Sequence, residues 1–179
     1  MRIFRNRSYQ TSPFGFGLGM TPGIKYLLIA NALVYILEMS LGSSWMVENL
    51  GLVPNAILNN LSVWQLVTYM FLHGGFFHIL FNMFALWMFG TDLERQWGTR
   101  FFLKFYFICG IGAGIITFFL QIYSSVPTIG ASGAIFGVLV AFAMTYPNRE
   151  IMMFPFFIPI KAKWLVTIMI GIGIFAAWS

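Results

Sequence analysis

Lysine and arginine are absent from Gly42 to Gly75 and again from Ser124 to Pro127, and these two gaps constrain the fold more than any other feature of the sequence. All ten basic residues lie instead near the other ends of a series of apolar runs. The runs are roughly Ile24 to Leu41, Phe76 to Phe89, Phe101 to Tyr123, Thr128 to Tyr146, and a fifth that begins near Trp164. If each run crosses a bilayer, every lysine and arginine falls on one side. Cytoplasmic loops carry that excess, so the amino terminus is expected inside and the long 42–75 loop outside.

Composition agrees with a membrane setting. The chain of 179 residues is 59% hydrophobic and 8% charged, whereas soluble domains are about a quarter charged. The net charge of +5 is spread over segment boundaries, not clustered, so it reads as a topology signal and no nucleic-acid partner is expected. Cys109 is the one cysteine, which excludes a disulfide framework and a thiolate metal site. The expected fold class is an all-α polytopic membrane protein. Residues 1–22, with Arg2, Arg5 and Arg7, form a cytoplasmic tail. The first run is long for the core of a signal peptide and more runs follow, so it is expected to remain as an anchor.

The links differ in kind. The 42–75 stretch holds Trp45, Trp64 and Tyr69 and is broken by Pro54, Asn55, Asn59 and Asn60. It is expected to be an interfacial loop with short amphipathic pieces. Asp92, Glu94, Arg95, Arg100 and Lys104 read as a charged turn after the second run, and residues 147–163 as an apolar connector.

Topology then brings polar side chains to one depth. The second and fourth runs both descend from the outer face. His78 and Asn82, spaced i, i+4 on one helix face, and Ser132, in the first turn of the fourth run, therefore share a level; His73 lies at or just above it. Polar groups at such depth usually have partners or a function. Ser132 stands within Gly130-Ala131-Ser132-Gly133, and Gly133 with Gly137 also forms a small-residue helix interface motif. The serine is thus open to two readings, packing residue or nucleophile. A helix amino terminus supplies free N–H groups for an oxyanion, and His78 can serve as base or as oxyanion donor. The soluble-hydrolase elbow G-x-S-x-G is not met, because Ala134 occupies its last position. A metal site at His73 and His78 is not expected, since they are not on one face and no carboxylate or cysteine joins them at that depth.

These residues resemble the rhomboid family of intramembrane serine proteases. The resemblance covers Gly23 to Ser179 and is carried by His73-x4-His78-x3-Asn82, Gly130-Ala131-Ser132-Gly133, Trp64-Gln65-Leu66-Val67-Thr68 leading into Phe71-Leu72-His73-Gly74, and Glu94-Arg95-Gln96-Trp97-Gly98. It implies a rhomboid-like helical bundle with Ser132 as nucleophile. His78, Asn82 and the Ser132 N–H would form the oxyanion hole, with His73 in support. The implied substrates are transmembrane segments of other membrane proteins, cut near the outer face within the lipid bilayer, with no cofactor. The expected location is a bacterial inner (plasma) membrane.

Three departures accompany the resemblance. Trp64-Gln65 stands where the family often has Trp-Arg, and Phe136 where it often has Tyr. The family's general base is a histidine on a sixth span in an Ala-His-x-x-Gly setting. This sequence has two histidines, His73 and His78, and stops in the fifth run. The expectation is therefore a carboxy-terminally truncated membrane domain, 23–179, with five helices of six, in which the chain as written is inactive. The alternative is a non-catalytic rhomboid-like protein that binds transmembrane helices. A channel or transporter is disfavoured, because no charged pair lies within the apolar runs and no interrupted-helix repeat is present.

Overall fold

The structure, a computed structural model, describes residues 19–153 and 158–178; the basic residues of the 1–18 stretch lie outside it. Helix α1 (Pro22–Leu41) opens on a proline at its first position, where the missing N–H costs nothing. Three short helices follow, α2 (Ser43–Leu50), α3 (Pro54–Asn60) and α4 (Gln65–Thr68), and α4 leads into a 3-10 turn at Tyr69–Phe71. Helix α5 (Phe76–Ala85), a π-helical stretch (Leu86–Gly90) and α6 (Thr91–Trp97) run on as one rod. Helices α7 (Thr99–Leu120), α8 (Ser132–Thr145) and α9 (Ala162–Trp178) complete the bundle.

Among the described residues, three helical rods are long and apolar enough to cross a membrane: Pro22–Leu41, Phe76–Trp97 and Thr99–Leu120. With its shorter apolar helices the chain is an integral, multi-pass helical bundle. Helix α8 has 14 residues. At 1.5 Å per residue it is about 21 Å long, short of a hydrocarbon layer about 30 Å thick. Its amino terminus is preceded by non-helical chain, residues 124–131.

Three sequence boundaries shift. The second run does not end at Phe89 in a charged turn: the helix carries Asp92, Glu94 and Arg95 to Trp97 and breaks at Gly98, whose φ of 80° suits glycine. The fourth helix begins at Ser132, not Thr128, because Thr128 pairs with Leu52 in an antiparallel bridge. The apolar connector contains an antiparallel hairpin, β1 (Glu150–Met153) with β2 (Ile158–Lys161), which adds a small sheet to the helical bundle.

Helices α7 and α8 form the closest pair. A Cβ on Gly133 would stand 2.6 Å from that of Ala113, and one on Gly137 would stand 2.5 Å from the Cys109 Sγ. Tyr69 reaches between them and donates its hydroxyl to the Gly110 carbonyl at 2.7 Å. At the opposite end from Ser132, Glu94 ties three helices together. Its carboxylate accepts the Gly23 and Ile24 N–H groups at 2.7 and 2.8 Å, satisfying the start of α1, and the Thr21 and Thr99 hydroxyls. Nearby, Arg149 pairs with Asp92 at 2.7 Å and lies over the Phe142 and Tyr146 rings.

Gly137→Ala is expected to lower stability by about 1–3 kcal/mol, since neither helix backbone can yield. A Cys109→Gly partner substitution should recover most of that loss. Thermal unfolding of the single and double variants in detergent checks the coupling.

Candidate active site

Thr128 to Ala131 carry the chain into α8, paired at Thr128, bent at Gly130 and already helical in backbone at Ala131. Leu52 and Thr128 exchange both backbone hydrogen bonds at 2.9 Å, and the Gly130 N–H donates to the Tyr69 carbonyl at 2.9 Å. Loop 42–64 is fixed in turn by buried Gln65. Its side-chain oxygen accepts the Val53 N–H at 3.0 Å, and its amide faces the Glu48 and Asn49 carbonyls at 3.4 Å. The Thr68 hydroxyl donates to the Leu50 carbonyl at 2.6 Å.

Gly130 has φ 118°, a conformation that disfavours any other residue. A Cβ here would stand 2.8 Å from the His78 Nε2 and 3.7 Å from the Ser132 Oγ. A residue with a side chain here would stand between the two. The structure thus brings Ser132 and His78 together across a bare backbone position, as their shared depth predicts. Ser132 is the first residue of α8 and is exposed, so its hydroxyl is open to approach, and helix geometry leaves its N–H and that of Gly133 without intrahelical partners.

Asn82 lies one turn below His78 on α5 and is buried, with its Nδ2 lacking a hydrogen-bond partner among the described groups. A buried amide donor without a partner is unusual and calls for an explanation. His78 accepts the Gly74 N–H on Nδ1 at 3.3 Å. That contact assigns the ring proton to Nε2, the atom beside Gly130.

His73 is buried and sets its ring edge-on to His78, with centroids 5.1 Å apart. Its Nδ1 faces the Phe71 carbonyl at 3.2 Å, which makes Nδ1 the protonated nitrogen and leaves Nε2 a buried acceptor without a described partner. Burial, reinforced by His78, pushes the His73 pKa down to about 4, so its imidazole is neutral. Its backbone N–H donates at 3.0 Å to Glu38, a buried carboxylate in the last turn of α1. Sequence reasoning passed over Glu38, although it is the one charged side chain between Lys25 and Glu48. Among the described residues no group of three or more His, Cys, Asp or Glu could hold a metal ion.

A sequence profile of the Rhomboid domain matches residues 60–179, two thirds of the chain. The chain belongs to the rhomboid family. Rhomboid protease GluP of Bacillus subtilis (strain 168) is 36% identical over 158 residues, covering 85% of this chain and 30% of that protein. Rhomboid protein 1, mitochondrial, of Saccharomyces cerevisiae is 36% identical over 93 residues, 50% of this chain and 27% of its own length. Rhomboid-like protease 3 of Toxoplasma gondii is 27% identical over 138 residues, 74% of this chain and 51% of its own. The chain thus spans less than a third of the length of the first two. Two of these relatives, those of Bacillus subtilis and Toxoplasma gondii, are named as proteases. In this rhomboid chain Phe136 is exposed one turn after Ser132, and Gln65 uses both amide functions inside the first loop.

The depressed His73 pKa has a pH signature. Between about 6.5 and about 4 the unfolded chain binds a proton that the folded chain refuses, so stability falls as pH drops through that window. His73→Asn, which keeps a donor for the Phe71 carbonyl but does not titrate, is expected to flatten that slope in thermal midpoints recorded from pH 7 to pH 4.

Proposed function

We propose that this chain is the serine-bearing part of an intramembrane endopeptidase that cleaves transmembrane segments of other membrane proteins. The observation that carries this reading is the convergence of the Ser132 Oγ and the His78 Nε2 on the bare Gly130 backbone. In this proposal Ser132 is the nucleophile. Its Oγ forms a bond to the scissile carbonyl carbon, and the carbonyl π pair moves onto oxygen. The resulting oxyanion receives hydrogen bonds from the His78 Nε2–H, the Asn82 Nδ2–H and the Ser132 N–H. Asn82 then gains the partner that its buried amide lacks. Collapse of the adduct breaks the C–N bond as the nitrogen takes up the proton that the serine gave to its acceptor, the new amine leaves, and water later hydrolyses the acyl-serine.

The Nδ1 contact with Gly74 favours His78 as a donor rather than a base, because the nitrogen next to Gly130 already holds the proton. His73 supports His78 from behind. The Ser132 proton then passes to an acceptor other than these two imidazoles. The sequence bears no further histidine, so the 179 residues alone are expected to turn over poorly. Residues 23–179 are taken as the membrane domain, with the amino-terminal end on the cytoplasmic side of a bacterial plasma membrane. The one-sided charge pattern supports that orientation, with the site near the outer face. Exposed small or helix-breaking residues in the substrate would present the scissile bond.

Cleavage of a transmembrane substrate in liposomes, with imidazole added as a proton acceptor, tests the proposal. Imidazole is expected to start turnover, and Ser132→Ala to remove it by at least about a thousandfold. Asn82→Ala is expected to lower kcat by about a hundredfold or more, with little change in KM. Turnover that survives Ser132→Ala would refute the nucleophile. Serine-dependent turnover without imidazole would instead make His78 the base. Binding of the transmembrane segment with no cleavage under either condition would establish the non-catalytic reading.

A further inference from the structure

Glu38 breaks two local rules at once. It is a carboxylate buried in an otherwise apolar helix, 4% exposed, and it stands in the last turn of α1, where the helix dipole disfavours negative charge. No lysine or arginine lies between Lys25 and Arg95 in the sequence, so the membrane end that holds Glu38 supplies no basic neighbour from loop 42–75. A leucine or methionine would serve better for packing alone. Such a violation of local preference is expected where a side chain has a task.

The task is visible in what the carboxylate holds. Its Oε2 accepts the His73 N–H at 3.0 Å. The next amide along, that of Gly74, donates to the His78 Nδ1 at 3.3 Å. The His73 ring meanwhile rests edge-on against the His78 ring. Two consecutive N–H groups therefore link α1 to the ring beside Ser132: Glu38 fixes the first, and the second fixes His78. The Gly74 contact is near the long limit for a hydrogen bond, so a small shift of the turn would break it. With it would go the preference for the proton on Nε2.

We propose that Glu38 is a positioning residue that holds the His73–Gly74 turn, and through it the tautomer and orientation of His78. The catalytic consequence rests on the function proposed above, whereas the structural claim about His78 does not. Glu38 touches no reacting atom in this scheme. Its Oε2 serves as the acceptor for a backbone amide that would otherwise be buried without a partner.

Nitrogen-15 imidazole spectra of the histidine-labelled chain in lipid nanodiscs test this, because the sequence has only two imidazoles to assign. The wild-type chain should show His78 protonated on Nε2 and His73 on Nδ1. Glu38→Gln keeps an oxygen acceptor and is expected to keep the His78 signature. Glu38→Met keeps the volume, removes a buried charge and so should fold, yet it is expected to give a mixed His78 tautomer. In the imidazole-supported cleavage assay Glu38→Met should lose about tenfold in kcat, the equivalent of one hydrogen bond. A wild-type His78 signature in Glu38→Met, or its loss in Glu38→Gln, would overturn the proposal. Absence of cleavage in every variant would count against the function alone, since the spectra decide the role of Glu38 independently.

Discussion

Everything around Ser132 depends on how closely α8 can approach α7. Gly133 and Gly137 face Ala113 and Cys109 with no room for a methyl group between them. Lipid offers no hydrophobic drive for helices to associate, so small residues that admit dispersion contacts do most of that work. Gly110 and Gly114 extend the same face toward Met70 and Tyr69, and so bring the turn before α5 against the pair. Packing residue and site residue are therefore not rival readings of Gly130-Ala131-Ser132-Gly133. The glycines seat the helix, and its seating decides where the serine stands.

The remaining constraints concern polar groups that water cannot reach. At one end of the bundle the first N–H groups of α1 are met by Glu94, which also binds Thr21 and Thr99. At the other end the irregular chain of residues 42–75 and 124–131 has its backbone groups paired by Leu52, Thr128, Gln65, Tyr69 and Glu38. Non-helical backbone at membrane depth is tolerated only where protein supplies such partners. Four buried side-chain atoms among the described residues lack a partner, the Asn31 Oδ1, the Tyr106 hydroxyl, the His73 Nε2 and the Asn82 Nδ2, and the last two belong to residues of the candidate site.

Much of this could be read in the sequence, for reasons that differ by residue. The three long rods were legible because a helix must be apolar over its whole lipid-exposed length. The approach of Ser132 and His78 to Gly130 agrees with counting residues down two helices. The end of the second helix was misjudged, because buried Glu94 and paired Asp92 resemble a solvated turn when only their charge is seen. The hairpin at 150–161 was hidden by its apolar, proline-containing sequence. Glu38 was not legible, because its contact with the His73 N–H joins residues 35 apart and carries no local pattern.

The central claim is that Ser132 and His78 share one reacting centre across Gly130. Its most direct test is the structure of the protein after reaction with an alkyl fluorophosphonate. The account predicts phosphorus bonded to the Ser132 Oγ, with the phosphoryl oxygen within hydrogen-bond distance of the His78 Nε2 and the Asn82 Nδ2. Phosphorus on another residue, or a phosphoryl oxygen turned away from both side chains, would contradict it.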